Sequence, residues 1–142
     1  MNEKRRWEHF SHQADIGIRG FGATMTDAFA AVAQALTAVV ANPEAIRSKY
    51  RRKITCSADD PELLLYDWLN ELVFEMSSCG MLFSSFDLRI TGAYQLEAVI
   101  RGEPVSLVRH RPVVEVKGVT FTELAVRQDA NGGWLAQAVV DV

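Results

Sequence analysis

The segment 58–76, ADDPELLLYDWLNELVFEM, constrains the fold more tightly than any other part of the chain. Asp60 can accept from first-turn N–H groups, and Pro61 suits the first helical position, where no amide donor is needed. Leu65, Trp68, Leu69, Leu72 and Met76 recur at three- and four-residue intervals, so they form one apolar stripe that must be buried against another element. A second helix is predicted from Thr24, a candidate N-cap, with Asp27 in its first turn. Phe29, Val32, Ala33, Leu36, Val39 and Val40 follow helical spacing, and Asn42-Pro43 closes it.

Elsewhere the period is two. Residues 15–21 alternate, with Ile16 and Ile18 on one face, which predicts a half-buried strand opened by Asp15. Residues 53–57 are a short strand candidate. Beyond Phe83 the chain is rich in β-branched residues, giving strand candidates at 85–90, 95–101, 113–117, 120–127 and 134–140, separated by Gly- and Pro-containing turns. Two early helices and consecutive late strands imply an α+β fold, a mixed β-sheet of about six strands covered on one side by two main α-helices. A chain of 142 residues, 49% hydrophobic, is long enough for one core and short for two, so residues 1–142 are read as a single domain.

No apolar run approaches the roughly 18 residues that cross a bilayer, and the start MNEKRRWEH lacks a signal peptide's apolar region. The expectation is a soluble, cytoplasmic protein with no membrane partner. Cys56 and Cys79 stand apart from each other, which suggests buried free thiols rather than a zinc site or a redox dithiol. The net charge of −3 gives no global reason to bind nucleic acid. Arg47, Lys49, Arg51, Arg52 and Lys53 form a basic run that is read as a solvated linker, the alternative being a contact for RNA or a protein partner; contact with RNA is expected to be indirect or weak.

Catalytic signatures are missing: there is no P-loop, GxSxG, HExxH or helix-opening GxGxxG. Ser77-Ser78 has no identifiable base nearby, and a metal-dependent hydrolase would lack a nucleophile. What remains is a set of acids at strand ends, Asp15 opening one strand and Asp141 closing the last, one residue before the carboxylate of Val142. If those strands are neighbours, their carboxylates repel unless a cation or a proton intervenes. Oxygen ligands of this kind suit Ca²⁺ or Mg²⁺. The alternative is that both are ordinary exposed terminal acids. His12 could pair with Asp15 or meet a partner, or be a plain strand-edge histidine. Glu115 and Lys117, two residues apart on one strand face, are either a surface ion pair or a partner contact.

The blocks HQADIGIRGFGATMTDAFAAVAQAL, ADDPELLLYDWLNELVFE, EVKGVTFTELAV and WLAQAVVDV occur in the order and at the spacing of the archease family, which the chain resembles over nearly its whole length. The resemblance implies a small α+β accessory protein of the RtcB-type RNA ligase, acting in tRNA splicing and RNA repair. Such proteins promote ligase guanylylation and multiple turnover without catalysing the joining. It also implies a metal site, usually described with calcium, at Asp15, Asp141 and Val142. The chain departs from the family pattern at Gln13, commonly Thr, at Gly118, commonly Ala, and at Phe121-Thr122, commonly Tyr-His. A second implied role is a chaperone-like modulator of tRNA-modifying enzymes such as methyltransferases.

Overall fold

The two long helices begin on the caps that the sequence supplies. A computed structural model describes residues 5–142. In it, α1 spans Met25–Val40 and α2 Pro61–Cys79. The Thr24 hydroxyl accepts from the Asp27 amide at 3.0 Å, and the Asp60 carboxylate accepts from Leu63 at 2.9 Å. At the far end of α2, Gly80 adopts φ 62°, the left-handed conformation that lets its N–H reach back to the Met76 carbonyl.

Around these helices run β1 (Arg5–His12), β2 (Asp15–Gly22), β3 (Tyr50–Ser57), β4 (Met81–Thr91) and β5 (Gln95–Pro104). A one-turn helix α3 (Leu107–His110) follows, then β6 (Gly118–Gln128) and β7 (Trp134–Asp141). The fold is α+β, as the element order implies. Its strands form two sheets rather than one, a four-stranded sheet in the order β1-β2-β7-β6 and a three-stranded sheet in the order β3-β5-β4. Every pairing is antiparallel.

The reason lies in α1. It buries Ala28, Phe29, Ala30, Ala31, Val32, Ala33, Ala35, Leu36, Thr37, Val39 and Val40, most of its circumference and far more than one stripe. A helix apolar on nearly every side needs cover on both sides, which a single sheet cannot give. Accordingly α1 packs on β1, β2 and β7 of one sheet and β4 of the other, while α2 packs on β6 of the first and all three strands of the second. Polar contacts repeat the sandwich: His9 Nε2 lies 2.8 Å from the Ala35 carbonyl, and the Thr37 hydroxyl donates to the Phe83 carbonyl at 2.8 Å. Trp68, fully buried, joins the helices by donating from Nε1 to the Phe29 carbonyl at 3.1 Å. Replacing Trp68 with Phe leaves a cavity and removes that bond. Chemical denaturation is expected to show a loss of about 2 kcal/mol.

Four further expectations are corrected. Strand β1 lies in a stretch read only as polar. It is an edge strand whose Arg6 and Glu8 are exposed, with Arg6 over the Phe21 ring at 4.1 Å, and so lacks a clean apolar alternation. Residues 113–117 form no strand and join no ladder; they are tied by Val113 N–H to the Val40 carbonyl and by Lys117 N–H to the Asp141 carbonyl. The basic run is not a linker, since residues 50–53 open β3. The thiols also differ from expectation, for Cys79 is exposed and Cys56 only half-buried. Burial, reinforced by Asp67 and Glu71, pushes the Cys56 thiol up to about 11, so it is a poor nucleophile at neutral pH. No described helix is long and apolar enough to cross a membrane.

Candidate functional site

Asp15 begins β2 and Asp141 ends β7. The strands are antiparallel neighbours with Ile16 opposite Val140, so one further step along the ladder sets Asp15 against Asp141. A Cβ built on Gly20 would run into the backbone of α1, whereas one built on Gly17 would run into the Phe10 ring. Odd-numbered positions of β2 therefore point away from the helices, and by alternation Asp15 and its cross-strand neighbour share that outer face. Val142, next in the chain to Asp141, packs its side chain at the margin of the core. The Lys117 N–H donates to the Asp141 carbonyl at 2.8 Å and fixes the end of the strand.

His12 stands opposite Asp15 in the β1–β2 register, across the turn made by Gln13, at φ 55°, and Ala14. It turns to Glu123 rather than to Asp15, with Nε2 3.3 Å from Oε2. Its Nδ1 is buried and has no hydrogen-bond partner among the described residues. Glu123 lies where the β6–β7 register shifts between Thr120 and Ala125, and its φ of 52° marks a bulge. Its carbonyl accepts from Gln137 Nε2 at 2.9 Å, and Gln137 in turn accepts from Arg19 at 2.7 Å. Sequence reasoning missed Glu123. The polar pair Thr122-Glu123, which interrupts the alternation of β6, was the one available signal. The same bulge carries the departures at Phe121-Thr122, and Phe121 stacks on Tyr66 with centroids 4.2 Å apart.

The donors at the Asp15–Asp141 rim are hard oxygens. Among the described residues neither aspartate makes an ion pair with a basic side chain, and no group of three or more His, Cys, Asp or Glu side chains could hold a metal. Two side-chain carboxylates and a chain terminus fit a hard divalent cation with a water-rich shell, and do not fit zinc. Of the two remaining candidates, only Lys117 reaches this rim, through its backbone. Glu115 instead borders an apolar groove of about 180 Å³ lined by Val40, Val73, Met76, Val105 and Val114. The two do not share a strand face, because their segment is not a strand.

A second polar cluster stands apart from the rim. Glu103, 3% exposed, accepts from both Arg109 nitrogens at 2.8 and 3.0 Å, from the Arg47 amide at 2.9 Å, and meets His110 Nε2 at 2.8 Å. The Ser106 amide donates to His110 Nδ1 at 2.8 Å, so that nitrogen is unprotonated and Nε2 carries the hydrogen given to Glu103. Every partner in this cluster is local to the α3 region or the 45–47 turn, and the cluster fastens that corner to β5.

Residues 7–142 match the family model of the Archease protein family. The chain is 39% identical to the archease of Pyrococcus furiosus and 38% identical to that of Pyrococcus abyssi, each over 141 residues that make up 97% of this chain and 99% of the relative. A solution structure of a Methanobacterium thermoautotrophicum protein superposes with a TM-score of 0.79 at 25% identity, covering 96% of this chain and 98% of that one. A Thermotoga maritima crystal structure, described as an archease and possible chaperone, shares the fold with a TM-score of 0.62 at 17% identity, covering 95% and 96%. With its whole core, both helices and the paired strand ends inside the matched region, the chain belongs to the archease family.

Proposed function

We propose that this protein is a non-catalytic accessory factor of an RtcB-type RNA ligase in the cytoplasm, promoting ligase guanylylation and multiple turnover in tRNA splicing or RNA repair. Family membership supports the accessory role. The observation that carries the site is the β2–β7 register, which brings acids from opposite ends of the chain to one rim. The ladder and the Lys117 amide hold Asp15 and Asp141 on rigid backbone, so their geometry is set before any partner arrives. A divalent cation, Ca²⁺ or Mg²⁺, held by Asp15, Asp141 and the Val142 carboxylate would supply positive charge able to meet phosphate oxygens. The protein's own contribution is positional and electrostatic, presenting that rim to the nucleotide-bearing centre of the ligase, with His12 beside it.

The test is single-turnover guanylylation of the ligase from the same organism. Substoichiometric wild-type protein is expected to accelerate it. Asp15→Ala and Asp141→Ala, checked for folding by circular dichroism, are expected to lose about tenfold of the stimulation. Unchanged stimulation by both variants would remove the carboxylate mechanism, and no stimulation by wild type would remove the ligase itself.

A chaperone-like modulator of tRNA-modifying enzymes such as methyltransferases is the second reading. Leu107, Val108 and Val113 are 75%, 83% and 74% exposed, close in sequence to the groove-lining Val105 and Val114. Exposed apolar surface of this kind suits a client-binding role. It predicts that the protein suppresses aggregation of such a methyltransferase without ligase present; no protection would eliminate it.

A further inference from the structure

We infer that the outer face of the three-stranded sheet is a binding surface for the phosphodiester backbone of single-stranded RNA. This face lies on the sheet opposite α1 and α2. Burial alternates along β5, with Leu96, Ala98 and Ile100 turned to the core and Glu97, Val99 and Arg101 turned out. Register places Arg51 directly opposite Arg101, and Lys53 opposite Val99. Like charges facing each other across strands destabilise a sheet, and here the repulsion sits on an uncovered surface where an anion can relieve it. Arg89 is matched by Glu97 at 2.9 Å, and Arg101 leans on Asp87 at 3.6 Å. Arg51 and Lys53 have no ion pair among the described residues. Tyr50, opposite Gly102, alternates to the other side of the sheet, so the outer face offers cations without a stacking ring.

The composition of the face favours nucleic acid over an acidic protein. A protein interface is anchored by buried apolar and aromatic side chains, and on this face Val99 is the one large apolar residue among the outward positions of β3 and β5. The phosphodiester backbone of a single strand instead requires exposed cations that track it, which Arg51 and Lys53 supply. The surface belongs to the other sheet from the Asp15–Asp141 rim, so one protein could offer carboxylates and cations to different groups at once. The choice of RNA rests on the ligase reading, and the experiment below contains no ligase, so it can fail while that reading stands.

The probe is a fluorescein-labelled mixed-sequence oligoribonucleotide of about ten nucleotides, titrated with the full chain by fluorescence anisotropy between 50 and 200 mM salt. Contact with about three phosphates predicts a slope of about −2 in log K against log salt. The double variant Arg51→Glu/Lys53→Glu is expected to bind at least tenfold more weakly at 50 mM salt and to flatten the slope to a magnitude of less than about 1. Both positions are exposed, and circular dichroism confirms folding; Arg127→Glu, exposed on β6 of the other sheet, is expected to bind like wild type. Absent binding, binding unaltered in the double variant, or equal affinity for a labelled poly-glutamate peptide would each overturn the assignment, the last in favour of an acidic protein partner.

Discussion

Gly20→Val is expected to prevent folding. A side chain at this position would occupy the space taken by the backbone of α1, with the Val32 nitrogen and the Ala28 carbonyl oxygen in contact and the Val32 Cα at 2.8 Å. Flexible neighbours can yield to an added methyl, but a helix backbone cannot move without the rest of the helix. Because α1 is held between two sheets, lifting it from β2 disturbs its packing on β4 as well. Ordinary overpacking costs about 1–3 kcal/mol; a clash of this type is expected to exceed about 5 kcal/mol, comparable with the whole stability of a domain this size. The checks are soluble yield and a cooperative thermal transition by circular dichroism. A valine variant that melts within a few degrees of wild type would contradict the close β2–α1 contact.

Glu103→Gln is the second large effect. The Arg109 guanidinium first, then the Arg47 amide and the His110 ring, hold the Glu103 carboxyl well below the usual carboxylate range, against the opposing influence of burial. Glutamine keeps the shape but turns an amide NH₂ toward groups that are themselves donors. At pH 7 the melting temperature is expected to fall by about 10 °C. The pH dependence has a definite sign. A carboxyl whose folded pKa lies below its unfolded value of about 4.3 contributes its full stabilisation above that value and loses it as pH falls toward the folded pKa. The advantage of wild type over Glu103→Gln should therefore be constant from pH 7 to about 5 and shrink below about pH 4. A difference independent of pH down to 2 would show that the charge of Glu103 is not what stabilises this corner.

Much of the architecture is legible residue by residue. Thr24, Asp60 and Pro61 start the helices where the structure starts them, because caps are local chemistry, and Gly80 ends α2 for the same reason. Alternation in 15–21 and β-branched content in 95–101 and 134–140 identify β2, β5 and β7; burial alternates along β5, whereas residues 136–140 of β7 are buried on both faces. Strand β1 was illegible because an edge strand can carry charges on its free face, and Val113–Val116 misled because apolar alternation does not require a ladder partner. At the candidate site, Asp15 and Asp141 could be named from strand ends and family resemblance. Their side-by-side register could not be deduced from spacing, and neither could the approach of His12 to Glu123 across the bulge in β6.

The sequence by itself determined the helices, most strands, the single core and the family, since these rest on local propensity, apolar periodicity and ordered motif blocks. Tertiary structure alone decided that the strands split into two sheets and that acids 126 positions apart share one rim. It also turned the basic run from a presumed linker into the outer face of a sheet. The physical reason is common to all three. They depend on which strand pairs with which, and that choice is made by burying α1 on two sides at once, a long-range packing requirement that no short window of sequence contains.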